Sequence, residues 1–165
     1  MIALQDFKQT LSHLTGAVTV ITTYDTSGRP WGFTATSLCS LSLEPPLVLC
    51  CLSRAADCYQ AFIDGRSFAI NILSEQQSDL SQRFAMKGPT KYRGVQFEIG
   101  RFGQPVLPGA LAVLECSLYS TYPGGDHSII VGLVEHGYQQ HTGSLTGPLL
   151  YYARTYGTFK GVPED

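Results

Sequence analysis

What this sequence lacks narrows it first. No stretch approaches 18 uninterrupted apolar residues, and the opening MIALQDFKQTLSHLTG has no basic segment followed by an unbroken apolar one. Neither a membrane-spanning helix nor a secretory signal is expected. Only 15 % of the 165 residues are charged, the net charge is -2, and Lys and Arg form no run. That removes the electrostatic footprint of a nucleic-acid binder and suits a chain that hides surface in an oligomer. The five cysteines, at 39, 50, 51, 58 and 116, are odd in number and include no C-x-x-C. A disulfide framework or zinc site is therefore not expected; small buried thiols in a reducing, cytoplasmic compartment are.

Catalytic signatures are missing too. There is no G-x-S-x-G elbow and no cysteine in a nucleophile context, which argues against hydrolysis through a covalent intermediate. No H-E-x-x-H or carboxylate cluster suggests a metal. Neither G-x-x-x-x-G-K-[ST] nor a G-x-G-x-x-G after a strand is present, so a P-loop and a Rossmann domain are both excluded. A borrowed organic cofactor remains as the source of reactivity.

What is present reads as one globular domain, residues 1–165. Hydrophobic residues make up 44 % of the chain, and a chain this long buries roughly 70 % of the surface its unfolded form exposes, enough for one core. Order is expected everywhere except in the last few residues, KGVPED. Leu4, Phe7, Leu11 and Leu14 line one face of a helix, with Gly16 placed for a left-handed stop. AVTVITTYD, the turn TSGRP and WGFTATSLCSLSL read as a hairpin of two long strands. In the second, Phe33, Ala35, Cys39, Leu41 and Leu43 take the core parity, while Thr34, Thr36, Ser40 and Ser42 take the other. After Pro45 and Pro46, LVLCCL reads as a strand buried on both faces.

A helix with Tyr59, Phe62 and Ile63 on one face follows, stopped by Asp64 and Gly65, then the buried strand SFAINIL. Ser74 and Gln77 form a capping box for a helix through Leu80 and Phe84. Beyond a polar loop with Lys87, Lys91 and Arg93, the strands are ALAVLECSLYSTY, SIIVGLVEHGY and PLLYYARTYGTF. Nothing repeats at 20 to 50 residues. The fold expected is mainly β with flanking helices, an antiparallel barrel with helices packed outside it.

Three places could carry chemistry. The hydroxyl-bearing face of GFTATSLCSLS would let backbone groups approach a flat heterocycle, although the same alternation suits a solvated strand face. At CCLSR, Ser53 and Arg54 stand where a strand hands over to a helix, so N–H groups, a hydroxyl and a guanidinium could converge on a phosphate, with Arg83 and the Lys87/Lys91/Arg93 loop nearby; a plain helix cap at Ser53 reads equally well. In YPGGDHSIIVG, a glycine-rich turn delivers His127, the side chain that titrates nearest neutrality, or simply closes a hairpin. His13, His136 and His141 read as structural or surface residues.

Taken in order, GFTATSLCSLSLEPPLVLCCLSR, FAINILSEQQSDLSQRFA, PVLPGALAVLECSLYSTYPGGDHSIIVGLVEHG and PLLYYARTYGTF closely resemble the short-chain flavin reductases, from about Phe7 to Phe159. These are the reductase components of two-component flavin monooxygenases. The resemblance implies a split antiparallel β-barrel of the flavin-reductase (FMN-binding split barrel) type and a homodimer with its site near the subunit interface. It also implies FMN or FAD as flavin, NADH or NADPH as hydride donor, and release of reduced flavin to a partner monooxygenase. By the same resemblance Gly125, Asp126 and His127 stand where nicotinamide meets flavin, with His127 as the catalytic residue. Thr34, Ala35, Thr36 and Ser37 would meet the isoalloxazine; Cys51, Ser53, Arg54, Arg83 and Phe84 would lie near the flavin and its phosphate; Tyr156 belongs to a closing aromatic-glycine pair. The chain departs from the family pattern at Leu38, where an aromatic residue is frequent, and at Thr155, where glycine is. Rival readings of such a barrel are an electron-transfer flavoprotein with permanently held flavin, a reductase of another acceptor, and a haem- or ligand-binding sensor.

Overall fold

β-branched and aromatic runs decide the architecture, because only paired strands bury so many stiff side chains at once. A computed structural model describes residues 1–140, 146–159 and 161; the readings of His141 and of most of KGVPED fall outside the described residues. The chain opens with α1 (Leu4–Leu11), β1 (Gly16–Ala17), β2 (Thr19–Tyr24), β3 (Pro30–Ala35), β4 (Cys39–Leu43), β5 (Pro46–Ser53), α2 (Tyr59–Asp64) and β6 (Ser67–Ile72). A 3₁₀ turn at Glu75–Gln77 leads into α3 (Ser78–Ala85), and a second at Pro89–Tyr92 precedes the short pair β7 (Glu98–Ile99) and β8 (Pro105–Val106). The long strands β9 (Ala112–Gly124) and β10 (His127–Gln139) and the hairpin β11 (Leu149–Tyr152) and β12 (Thr155–Thr158) complete it.

Seven strands form one antiparallel sheet in the order β3-β2-β6-β9-β10-β5-β4. β3 and β4 are consecutive in the chain yet lie at opposite ends of that sheet, so the sheet curls until residues 36–38 close the gap. Ser37 Oγ accepts the Cys51 N–H at 3.0 Å across the closure. This corrects the expectation of one long strand through WGFTATSLCSLSL. Phe33 and Ala35 do face the core, whereas Cys39, Leu41 and Leu43 are exposed, because the break at 36–38 hands β4 to the far edge.

LVLCCL also differs from its reading. Val48, Cys50 and Leu52 enter the barrel core, while Leu47, Leu49, Cys51 and Ser53 point outward and stay half-buried. Among the described residues nothing packs over that outer face as fully as the barrel fills the inner one. PLLYYARTYGTF folds back on itself at Ala153 and Arg154, both at positive φ (47° and 65°), the pair of left-handed residues a tight hairpin uses. Gly16 begins a strand rather than stopping α1. Its need is close approach, since a Cβ there would sit 2.9 Å from Thr36 Cβ.

The barrel interior is filled by Ile21, Phe33, Leu52, Phe62, Phe68, Ile70 and Ile130. A second cluster of Val18, Val20, Leu73, Phe84, Leu107 and Leu149 binds α3 and β11 to the barrel's outside. The Ser74–Gln77 capping box forms as read, one 3₁₀ turn before α3. Three cysteines are buried, Cys51 is half-buried and Cys39 exposed; all five are free. Burial pushes the thiols of Cys50 and Cys116 up to about 12 and that of Cys58 to about 11, which leaves them protonated and inert at neutral pH. Among the described residues no helix is long and apolar enough to cross a membrane.

Candidate active site

A cleft of about 250 Å³ opens where the end of β5, the end of α3 and the β9–β10 turn meet. One bank carries Cys51, Ser53 and Ala55 to Asp57; the other carries Phe84 to Lys87 with Lys91. Phe33 and Thr34 of β3 lie between them, and His127 stands at the margin. An adjoining hollow of about 240 Å³ shares Thr34 and Ala85 and is lined by Thr36, Ser81, Tyr151 and Tyr156.

The β9–β10 connection is tighter than the sequence suggests. Gly124 pairs with His127, leaving Gly125 and Asp126 as a two-residue turn. Gly125 has φ 69° with nothing within 4 Å of where its Cβ would be, so glycine is required by backbone conformation and not by a close neighbour. The turn sets His127 directly opposite Ser53 on β5. His127 Nδ1 lies 2.7 Å from Asp126 Oδ1, and that hydrogen bond, reinforced by the imidazole's charge, holds the Asp126 carboxyl below its usual range. Among the described residues Nε2 makes no hydrogen bond, so it is available at the cleft margin.

The CCLSR segment is built differently from a helix cap. α2 begins only at Tyr59, and residues 54–57 form turns. The Arg54 N–H is donated to the Asp126 carbonyl, the Ala55 N–H to Ser53 Oγ and the Ala56 N–H to the Ser53 carbonyl. These donors are therefore spent. Anion recognition falls to side chains: Lys87 lines the cleft from the facing bank, and Arg54, exposed, adjoins Ser53 without lining it. Arg83 lines neither hollow. Its guanidinium donates to the carbonyls of Lys91 (2.8 Å) and Arg93, so it braces the polar loop against α3.

Thr34 borders both hollows but donates its hydroxyl to the Ser81 carbonyl at 2.6 Å. Ala35 is buried, Thr36 exposed, and Ser37 occupied at the closure, so this stretch presents mainly its backbone and methyl groups. Phe84 is fully buried beneath the cleft, and Gly32 admits it: a Cβ on Gly32 would meet Phe84 Cε1 and the Ile21 carbonyl at 2.9 Å. Tyr156 shares a hydrogen bond of 2.8 Å with Ser81 and packs its ring on Tyr151.

Sequence reasoning missed one ionic element. Lys91, read as part of a polar loop that could add positive charge to a phosphate site, is 2 % exposed, and its Nζ lies 2.7 Å from Asp57 Oδ1. The two are 34 residues apart in the chain, so no local spacing announces them. Asp57 Oδ2 also accepts the Gly88 N–H at 2.7 Å. Burial raises the Asp57 pKa, but the Lys91 and Gly88 hydrogen bonds and the lysine's charge outweigh it, and the net shift is downward.

These surfaces fit a flavin. Between the banks, apolar and backbone surface suits a flat ring, the adjoining hollow that shares Thr34 and Ala85 adds room beside it, and the exposed Lys87 of the lining, with the exposed Arg54 next to Ser53, suits a phosphate at the rim. Comparison with known proteins agrees. The actinorhodin polyketide dimerase of Streptomyces coelicolor is 38 % identical over 149 residues, covering 90 % of this chain and 82 % of that protein. The reductase subunit HsaB of a flavin-dependent monooxygenase from Mycobacterium tuberculosis is 37 % identical, covering 96 % and 82 %. The solved NADH:FAD oxidoreductase of Streptomyces globisporus, in complex with NAD and FAD fragments, superposes with a TM-score of 0.86 at 29 % identity, covering 97 % of this chain and 96 % of its own. The flavin reductase like domain family matches residues 11–160, and with the curled sheet and its cleft already in place, this chain belongs to that family.

Proposed function

We propose that this protein is an NAD(P)H:flavin oxidoreductase that reduces FMN or FAD and releases it to a flavin-dependent monooxygenase. The observation that carries the reading is the meeting of His127, the Cys51–Ser53 strand end and Thr34 around one cleft with basic residues at its rim. A bound flavin supplies the two-electron acceptor for hydride from the nicotinamide. The protein's task is to hold two rings face to face, since orientation is the largest saving available to it.

Backbone from Thr34 to Ser37, with Cys51 and Ser53 opposite, bounds the flavin ring. Preoriented peptide dipoles there favour negative charge on it. Arg54 and Lys87 hold the phosphate. His127 positions the nicotinamide nucleotide: its Nδ1 is fixed by Asp126, and Nε2 is left to a carboxamide or ribose oxygen. Tyr156, in the adjoining hollow with Thr34 to Thr36, borders the flavin ring from that side. Two exposed cations make a modest phosphate site, in keeping with a flavin that leaves; a residence of hours would defeat diffusible transfer.

The working unit in this reading is a homodimer. The β5–β10 register puts Ser53, Cys51, Leu49 and Leu47 on one face with His127, Ile129, Val131 and Leu133. Cys39 and Ser42 of β4, opposite Leu49 and Leu47, and the exposed Tyr122 of β9, opposite Ile129, extend it. The cleft residues lie at the edge of this apolar face, so a second copy seated there would complete the wall of the site. Five free thiols and a nicotinamide donor suit the cytoplasm.

The test is oxidation of NADH and NADPH by purified protein with FMN, FAD or riboflavin in excess. Saturable, flavin-dependent oxidation supports the reading, and none with any pair overturns it. Loss of flavin on gel filtration supports the diffusible product; co-elution in stoichiometric amount supports a flavoprotein with a permanent cofactor.

A further inference from the structure

Besides aromatic packing of Tyr92 and Phe97 on Phe84 and of Tyr92 on Trp31, three polar ties among the described residues hold the polar segment after α3 to the body. Arg83 takes the Lys91 and Arg93 carbonyls, and the Tyr92 hydroxyl bridges the N–H and carbonyl of Gly32 on β3, each at 3.2 Å. Asp57 takes the Lys91 ammonium and the Gly88 N–H. The first two anchor the segment to its own bank and to β3. The Asp57 tie alone of these three reaches the β5 bank, and both its partners stand within or beside the cleft.

Stability does not explain that tie. Sinking an ammonium to 2 % exposure incurs a desolvation cost that a single carboxylate only about cancels, and apolar replacements of buried ion pairs are often as stable or more so. What two charge-assisted bonds to one carboxylate do supply is direction and distance. With Asp57 Oδ1 on Lys91 and Oδ2 on Gly88, the Met86–Lys91 bank is set in two places relative to the Ser53–Asp57 bank. Met86 and Lys87, exposed on that bank, are aimed by it.

We propose that Asp57 is a positioning residue for the flavin cleft: its carboxylate latches Lys91 and the Gly88 N–H and thereby sets the spacing of the two banks that hold the flavin. The proposal rests on the flavin-reductase reading. Lys91, its charge met by Asp57, acts as the catch of this latch, and net attraction for phosphate comes from Lys87 and Arg54.

The test compares Asp57→Asn, Lys91→Met and the double replacement Asp57→Leu with Lys91→Met in full-length protein. Asn keeps a single acceptor oxygen, so one of the two ties is lost. Three quantities are read: the equilibrium Kd for FMN and FAD by quenching of flavin fluorescence, the steady-state KM and kcat, and Tm. A latch predicts a flavin Kd and KM raised about tenfold in Asp57→Asn and in the double variant, with kcat at saturating flavin falling much less. It also predicts a Tm for the double variant equal to or above wild type, because no unpaired charge is left buried. Unchanged flavin Kd in the double variant overturns the proposal, as does a Kd that weakens only in variants whose Tm falls. A wild-type protein that binds and reduces no flavin fails the functional reading itself, a result separate from these.

Discussion

The chemistry of the cleft is decided residue by residue, by which polar atoms are already engaged. Thr34, Ser37 and Arg83 were expected to meet the flavin or its phosphate, and Ser53 to do so or to cap a helix; each is tied to backbone in the structure. His127 keeps one ring nitrogen committed to Asp126 and the other open. Replacing His127 with Ala is expected to lower kcat/KM for the nicotinamide nucleotide about tenfold, a loss of ~1.4 kcal/mol in transition-state binding, with flavin Kd little changed; steady-state kinetics with the nucleotide varied checks this. Asp57 gives a pH signature. Its folded pKa lies below the ordinary carboxylate value of 3.8, so its contribution is fully present above that value and is lost as pH falls through the folded one. The Tm difference between wild type and Asp57→Asn should hold constant from about pH 7 to 5 and shrink below about pH 4. The glycine turn at His127 was legible because Gly-Gly-Asp-His interrupts apolar runs, but those residues suited an ordinary hairpin as well, and the site role proposed for His127 came from the family resemblance. Lys91 was not legible, since a lysine's burial depends on a partner brought from another part of the chain.

Among the elements, the two long strands and the helices at 59–64 and 78–85 were readable from periodicity and capping. The break inside WGFTATSLCSLSL was not, because nothing in a run of alternating small and apolar residues marks where a sheet must close. Gly125 belongs to this scale. Its positive φ costs a side chain about 1–2 kcal/mol with no clash added, so Gly125→Ala should lower stability by that amount in chemical denaturation and misplace His127, raising the nucleotide KM. Phe84 joins α3 to β2 and β3 beneath the cleft. Truncation to Ala should cost about 3–5 kcal/mol, the usual penalty for a buried aromatic, read as a lower midpoint at unchanged m-value. The β7–β8 pair, two residues each, carried no pattern long enough to read. It is held from outside, by the buried Glu115 carboxylate accepting the Arg101 and Phe102 N–H groups at 3.0 and 2.8 Å.

For the whole molecule, the outward face of β5 and β10 is the feature that a single copy leaves unexplained. An Arg at Leu49 or Ile129 would place a charge in the middle of that face, and light scattering should then report an 18.0 kDa monomer where wild type gives twice that mass; a wild-type monomer overturns the dimer. The sequence by itself determined the class of fold, the glycine turn that carries His127, and a borrowed cofactor as the source of reactivity. These follow from composition and from interactions within a few residues, which a chain carries wherever it goes. Only the tertiary structure decided which hydroxyls stay free, that Arg83 braces a loop, and that Lys91 is sunk against Asp57. Those depend on curling a seven-stranded sheet until its ends meet, which brings residues 34 positions apart to hydrogen-bond distance.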